Sequence, residues 1–394
     1  MSLSVSNRLA RVQPSATGAV LARATELIRE GRSIIRLGAG EPDFETPEFI
    51  KTAAIDAIER GETRYTPVGG SAELKAAVIA KYRRDNGLDF TPQQIIVTSG
   101  AKQSLFNLCL AALGPGDEAI VPAPYWVSYP EMVRMADATP VILETGMANG
   151  FRMSPEALRD ALTPRTRLVF INSPSNPTGA AYSPEELQAL GEVLEAWPDV
   201  LIVSDDIYEH IYWGPSAYST LARVCPDLAA RTVTVNGVSK AYAMTGWRIG
   251  YAGGPDWLIA AMTTVQSQSA SNASSVSQAA ATAALNGDQS VVHSMRDAYR
   301  ERHDFLVAGL NAIDGVECLQ SDGTFYAFPA MHGVLERLDI NDDLALATLL
   351  LEEQGVACVP GSAFGAPGHL RFSFACSVDE LGEGLDRLKR VLAA

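Results

Sequence analysis

The chain has 394 residues, 47% of them hydrophobic and 20% charged, with a formal net charge of −15 at pH 7. This length and apolar content suit a large α/β unit with a smaller partner domain, and the acidic balance argues against a nucleic-acid-binding face. No uncharged apolar run reaches the ~18 residues of a membrane span, and the opening stretch, MSLSVSNRLARVQPSATGAV, lacks the apolar core of a signal peptide, so a cytoplasmic protein that spans no membrane is expected.

The segment before residue 48 carries one helical pattern, at 18–30, and turn chemistry in GAGEPDFETP. Its apolar content is too small for a core of its own, so it is expected to pack with the C-terminal part. From about residue 90 to 255, short apolar runs alternate with amphipathic stretches. The predicted strands are 95–99, 119–123, 140–144, 167–172, 200–206, 232–236 and 249–253, with helical patterns at 102–113, 128–136 and 184–196. Near-continuous apolar strands separated by helices predict a three-layer, mostly parallel seven-stranded sheet covered on both faces. In the last hundred residues, helical patterns at 290–312, 342–354 and 378–393 alternate with GVECLQ, TFYAF, GVACVP and HLRFSF. That reads as a smaller α+β domain. The expected division is a large domain over 49–289 and a small one from 1–48 with 290–394.

Cys109, Cys225, Cys318, Cys358 and Cys376 are odd in number and show no CxxC spacing, which predicts buried, reduced thiols. His210, His293, His303, His332 and His369 show no metal-binding spacing such as HExxH, so no metal site is expected.

Ligands of such sheets sit outside the carboxyl ends of the strands, and the polar residues cluster there. SGAKQSLFNL follows the first strand; Gly100 permits a tight turn, and the next helix offers free N–H groups of the kind that bind phosphate. Alone, that junction is ordinary. SPSNPTG follows the fourth strand as a rigid turn carrying Asn176. Asp205, Asp206 and Tyr208 follow the fifth, where a carboxylate is costly unless paired or solvated. Ser239, Lys240 and Arg248 follow the sixth. Most lysines are solvated surface charges, but one held among apolar groups has a depressed pKa and can act as a nucleophile or Schiff-base former. A phosphate-binding turn, an acid, a phenol, an amide, an amine and a guanidinium at adjacent strand ends describe a pocket for an anionic, ring-bearing carbonyl compound. Pyridoxal phosphate fits that description.

Five spaced motifs carry a resemblance: AGEPDF (39–44), PYWVSYPEM (124–132), NSPSNPTG (172–179), SDDIYEH (204–210) and SKAYAMTGWRIGY (239–251). In this order, and over nearly the whole chain, the sequence resembles the class I/II aminotransferases of pyridoxal-phosphate fold type I, and more narrowly their bacterial aspartate aminotransferase subgroup. The resemblance implies that Lys240 holds the cofactor covalently and then moves the substrate's α-proton. It implies Asp205 at the pyridine nitrogen, keeping the ring an electron acceptor, and Tyr208 with Asn176 at the ring's 3′-oxygen. Trp126 would stack on the ring. The N–H groups of Gly100, Ala101 and Lys102, with Ser239 and Arg248, would hold the phosphate. Tyr65 would reach the phosphate of a neighbouring subunit, which implies a homodimer with shared sites. Arg371 would clamp the α-carboxylate with its planar fork, and Gly40 would approach the substrate through its backbone. The implied reaction is ping-pong, from an L-amino acid, with aspartate first, to a 2-oxo acid, 2-oxoglutarate first.

Related sequences often carry a lysine before PSAT, in a region that helps dual-specificity relatives recognise a dicarboxylic or prephenate substrate. Gln13 stands there instead, which leaves prephenate activity unsupported. The stretch 267–278 is expected to line the distal pocket and carries no cation, so Lys102 is one candidate for a distal carboxylate. Aromatic, alanine and branched-chain donors stay open, as does a lyase of the same fold cleaving carbon–sulfur bonds or forming an aminocyclopropane. A cofactor-sensing regulator would need a DNA-binding domain, which this acidic chain does not show.

Overall fold

The computed structural model describes residues 5–14 and 16–392. Its central sheet has seven strands: β1 (Ile95–Thr98), β2 (Glu118–Ala123), β3 (Thr139–Glu144), β4 (Thr166–Asn172), β5 (Leu201–Asp205), β6 (Thr232–Gly237) and β7 (Gly250–Gly253). Their order is β1-β7-β6-β5-β4-β2-β3. Only β7 runs antiparallel to its neighbours, β1 and β6; every other pairing is parallel. This is the predicted three-layer α/β sheet.

The two-residue period of the strands sorts their side chains onto the two faces. Ile96, Val121, Phe170, Val203 and Val235 share one core with helices Ala101–Ala112, Ser128–Met135 and Asp256–Ser267. On the opposite face, Ile95, Val97 and Tyr251 pack with helices Glu48–Glu59, Ala72–Lys81 and Ser275–Asn286. Ile120, Val169, Ile171 and Ile202 complete that face against helix Pro184–Glu195 and its neighbours. Local chemistry starts helix 184–195: Ser183 and Glu186 form a reciprocal capping box, with Pro184 at the first helical position.

The rest of the chain builds a second core. Strands β8 (Tyr326–Ala327), β9 (Val359–Pro360) and β10 (Leu370–Ser373) form an antiparallel sheet in the order β9-β10-β8. Helices Ser290–Asn311, Asp343–Gln354 and Val378–Leu392 cover it. Ile35 and Leu37 join this core, and Ile35–Arg36 pairs in parallel with Val356–Ala357. The early segment thus packs where the sequence places it.

One expected strand does not form. GVECLQ makes only an isolated bridge, Glu317 to Ala330. On the next residue, the Asn311 amide donates to the Cys318 carbonyl at 2.9 Å and accepts from the Cys318 N–H at 2.8 Å. One side chain thus takes both backbone groups of Cys318. All five cysteines are free, and only Cys376 is not buried. Among the described residues, no helix is long and apolar enough to cross a membrane.

Candidate active site

The carboxyl ends of the parallel strands open into a cavity of about 630 Å³. Each turn leaving the sheet adds to its wall. Asn172 ends β4 and Asn176 follows it, Asp205 ends β5 and Tyr208 follows it, and Ser239 with Lys240 follow β6. Ala101 and Lys102 begin the helix after β1, and Trp126 lies in the turn after β2. Gly40, Tyr326 and Arg371 wall the other side, so both cores meet here.

Lys240 points its Nζ at the Gly40 carbonyl, 2.5 Å away. Burial is the main cause that lowers its pKa to about 8, and the cations Arg371, Arg248 and Lys102 add to it against Glu41. The ammonium is therefore poised to lose its proton near neutrality. Asp205 is shifted the opposite way. It is 4% exposed, and burial raises it to about 6, while hydrogen bonds from Tyr129 and the Ile207 N–H hold it down. Tyr129 donates to Asp205 Oδ2 at 2.6 Å. Asp206, the neighbouring acid, does not line the cavity; it accepts from Ser204 Oγ at 2.6 Å.

Arg371 lies on β10 and is 2% exposed. It donates to Asn176 Oδ1 at 2.9 Å and to the Gly38 carbonyl at 3.1 Å. Its Nε is buried with no partner among the described residues. The guanidinium carbon sits 4.2 Å from the Tyr326 ring centroid, and the Tyr326 hydroxyl is 3.1 Å from that of Tyr208. Gly40 leaves room for this arrangement, since a Cβ there would meet the Tyr326 hydroxyl at 3.3 Å.

Arg248, in left-handed backbone at φ 56°, donates to the carbonyls of Thr245 at 2.9 Å and Ser99 at 3.4 Å. This holds it at the N-terminus of helix 101–112, where Ala101 and Lys102 have no intrahelical acceptor for their N–H groups. Gly100 makes the approach feasible: at φ 85° it suits only glycine, and a Cβ there would fall 2.2 Å from Arg248 Nη2. Lys102 Nζ lies 4.8 Å over the Trp126 ring.

Most of the site residues expected from sequence therefore share one cavity. Gly100 stands behind its wall as the helix cap. Tyr65 is 92% exposed and lies off the cavity of its own chain. The stretch 267–278 also contributes nothing to that cavity. Sequence reasoning missed Tyr129, although it lies within PYWVSYPEM, and Tyr326 and Arg36. Arg36 lines the cavity and carried no motif signal.

The donor set fits a phosphorylated pyridine aldehyde. A helix N-terminus with an arginine suits the phosphate, a buried carboxylate the ring nitrogen, and a lysine of lowered pKa the aldehyde. An anion beside Arg371 would give its unpartnered Nε an acceptor.

The sequence matches the family model for aminotransferase class I and II over residues 32–388. An aspartate/prephenate aminotransferase of Nitrosomonas europaea is 53% identical, covering 99% of this chain and 100% of that one. An aspartate aminotransferase of Geobacillus stearothermophilus is 47% identical over all of both chains. Among solved structures, the aspartate aminotransferase of Rhizobium meliloti matches with a TM-score of 0.94 at 47% identity, covering 99% of each chain. The Thermus thermophilus aspartate aminotransferase with maleate matches at 0.94 and 46% identity, covering 99% of this chain and 100% of that one. A lysine of lowered pKa sharing a cavity with a buried carboxylate at the strand ends of such a sheet agrees with these likenesses: the chain belongs to the class I and II aminotransferases, which work with pyridoxal phosphate.

Proposed function

We propose that this aminotransferase takes its amino group from aspartate and passes it to 2-oxoglutarate in a ping-pong cycle. One observation carries the chemical part of the reading: Lys240, lowered to about 8, shares the cavity with Arg371, whose Nε is unpartnered. Two relatives named for aspartate support the choice of donor.

Pyridoxal phosphate, when bound, supplies an electrophilic aldehyde and a ring that accepts an electron pair. Lys240 would be its covalent anchor. Ser239, Arg248 and the N–H groups of Gly100, Ala101 and Lys102 would hold the phosphate. Asp205 would keep the ring nitrogen protonated, Trp126 would cover the ring face, and Tyr208 with Asn176 would serve the 3′-oxygen. Arg371 takes the α-carboxylate in a bidentate grip, and the Gly40 backbone lies beside it. That grip places the α-hydrogen before the Lys240 amine, whose Nζ removes the proton and returns it. A base titrating near working pH does both efficiently.

In our reading, residues 49–289 form the cofactor domain and residues 1–48 with 290–394 the smaller one. The separate cores support that division. We read the protein as a homodimer with shared sites: Tyr65 is 92% exposed, and the apolar Ile55 and Ile58 lie 54% and 55% exposed on helix 48–59. Cytoplasmic residence suits the five free thiols.

The test is a half-reaction panel. The yellow holoenzyme is mixed with aspartate, glutamate, alanine, phenylalanine or valine, and the cofactor absorbance is followed. Aspartate is expected to bleach it fastest, and 2-oxoglutarate to restore it. Release of ammonia without bleaching would mark a lyase, and faster bleaching by another amino acid would displace aspartate.

A further inference from the structure

Of the chain's six lysines, Lys81 is the one with no exposed surface at all, and it lies outside the cavity. It ends helix 72–81, just before the π-helical segment Tyr82–Asn86. Its Nζ pairs with Glu209 Oε1 and donates to Asn86 Oδ1 at 2.7 Å. Glu209, 5% exposed, also accepts from Asn86 Nδ2 at 2.6 Å and from Asn236 Nδ2 at 2.8 Å. His210 Nε2 stands 3.3 Å from Glu209 and 3.4 Å from Asp85. Asp85, Glu209 and His210 are close enough to share a metal ion. Lys81 Nζ, in contact with Glu209 and 3.9 Å from Asp85, already supplies the cation.

Stability does not account for this pair. Two buried ions lose their hydration, and a well-packed apolar pair of similar volume is often as stable or more so. Direction is what the pair adds. Glu209 follows Tyr208, whose phenol borders the cavity. Asn236 lies on β6, four residues before Lys240. One carboxylate therefore ties the turn bearing Tyr208, just after Asp205, to the strand that leads to Lys240. Tyr82 adds a parallel tie, donating to the Thr234 carbonyl of β6 at 2.8 Å.

We propose that the buried Lys81–Glu209 pair, through Asn236, is a positioning device that holds Tyr208 and Lys240 in register across the cavity. It touches neither cofactor nor substrate. The inference rests on the roles given above to Tyr208 and Lys240.

The experiment compares three holoenzyme variants with the parent protein. Lys81→Met with Glu209→Leu removes the charges and the ties. Lys81→Met with Glu209→Gln removes the charges but lets the new amide accept from Asn236 and donate to Asn86. Asn236→Ala cuts one tie and leaves the ion pair. The leucine variant is expected to keep its thermal midpoint and substrate KM, to lose about tenfold or more in kcat, and to raise the pH midpoint of the bound cofactor's absorbance. Asn236→Ala should move both readouts the same way by less, and the glutamine variant should recover much of the loss. A folded leucine or Asn236→Ala variant with the parent's kcat and absorbance midpoint overturns the proposal. So does a loss of kcat that only follows the thermal midpoint. Should the parent protein itself fail to transaminate, the functional reading falls instead, and the variants need not be made to learn that.

Discussion

Tyr129 donates its phenolic hydrogen to Asp205 Oδ2 at 2.6 Å, both side chains being buried. The bond favours the ionised carboxylate that burial disfavours. Tyr129→Phe removes the donor and leaves no unpaired group on the ring. Asp205 should then take its proton at higher pH. The acid limb of kcat/KM for aspartate is expected to move upward, with activity falling several-fold at pH 6 and little at pH 8.5, as a hydrogen bond to a charged group worth roughly 1.5–3 kcal/mol would dictate. An unmoved pH profile contradicts this coupling.

Asp205 also makes the site expensive to keep. Its value in the fold, about 6 against an ordinary 3.8, means that the folded chain holds this proton more tightly than the unfolded chain. The penalty is absent below about pH 4, grows as pH rises, and is complete above about pH 6, where it is on the order of 3 kcal/mol. Cofactor-free Asp205→Asn is therefore expected to melt a few degrees above the parent at pH 8 and level with it at pH 4, while losing transamination. Equal melting at both values would show that Asp205 is not strained by burial.

Arg371 stacks on Tyr326, and Tyr326 in turn meets Tyr208, so one ring serves two groups. Tyr326→Phe keeps the face beneath the guanidinium and should leave the substrate KM near its parent value while lowering kcat. Tyr326→Leu removes the face as well and should raise KM by about three- to tenfold, the range of an exposed to partly buried cation–π contact. Steady-state kinetics with aspartate separate the two outcomes, and identical kinetics in both variants count against the division of roles.

Gly100→Ala brings a Cβ to within 2.2 Å of Arg248 Nη2 at a backbone φ of 85°. The guanidinium must leave the helix N-terminus, and retention of pyridoxal phosphate in equilibrium dialysis should weaken by about tenfold or more, equivalent to about 1.4 kcal/mol. Gly246→Ala meets nothing within 4 Å and should retain the cofactor as the parent does.

What could be read from sequence was what is local. Each buried strand is a short apolar run, and each polar turn follows its strand directly, so the places of Lys240, Asp205 and Asn176 along the chain set them at the cavity. Contacts made by distant residues were not. Tyr129 reaches Asp205 across 76 positions and Tyr326 reaches Tyr208 across 118, and no spacing rule links such pairs. GVECLQ has strand composition, yet it makes only the Glu317–Ala330 bridge, and an asparagine from the preceding helix takes the Cys318 backbone groups. Lys81 heads KYRRDNG, whose charges give no local sign of burial; only the fold brings Glu209 to it. Tyr65 is exposed, and it and the stretch 267–278 lie away from the cavity of their own chain.

The proposed chemistry turns on one amine, and reduction of the holoenzyme with borohydride examines it directly. The treatment fixes the cofactor to the nitrogen that carries it, and peptide mapping then finds the modified residue. The label is expected on Lys240 alone and is expected to vanish in Lys240→Ala. A label on Lys102, Lys81 or any other lysine, or no label on cofactor-loaded protein, contradicts the assignment.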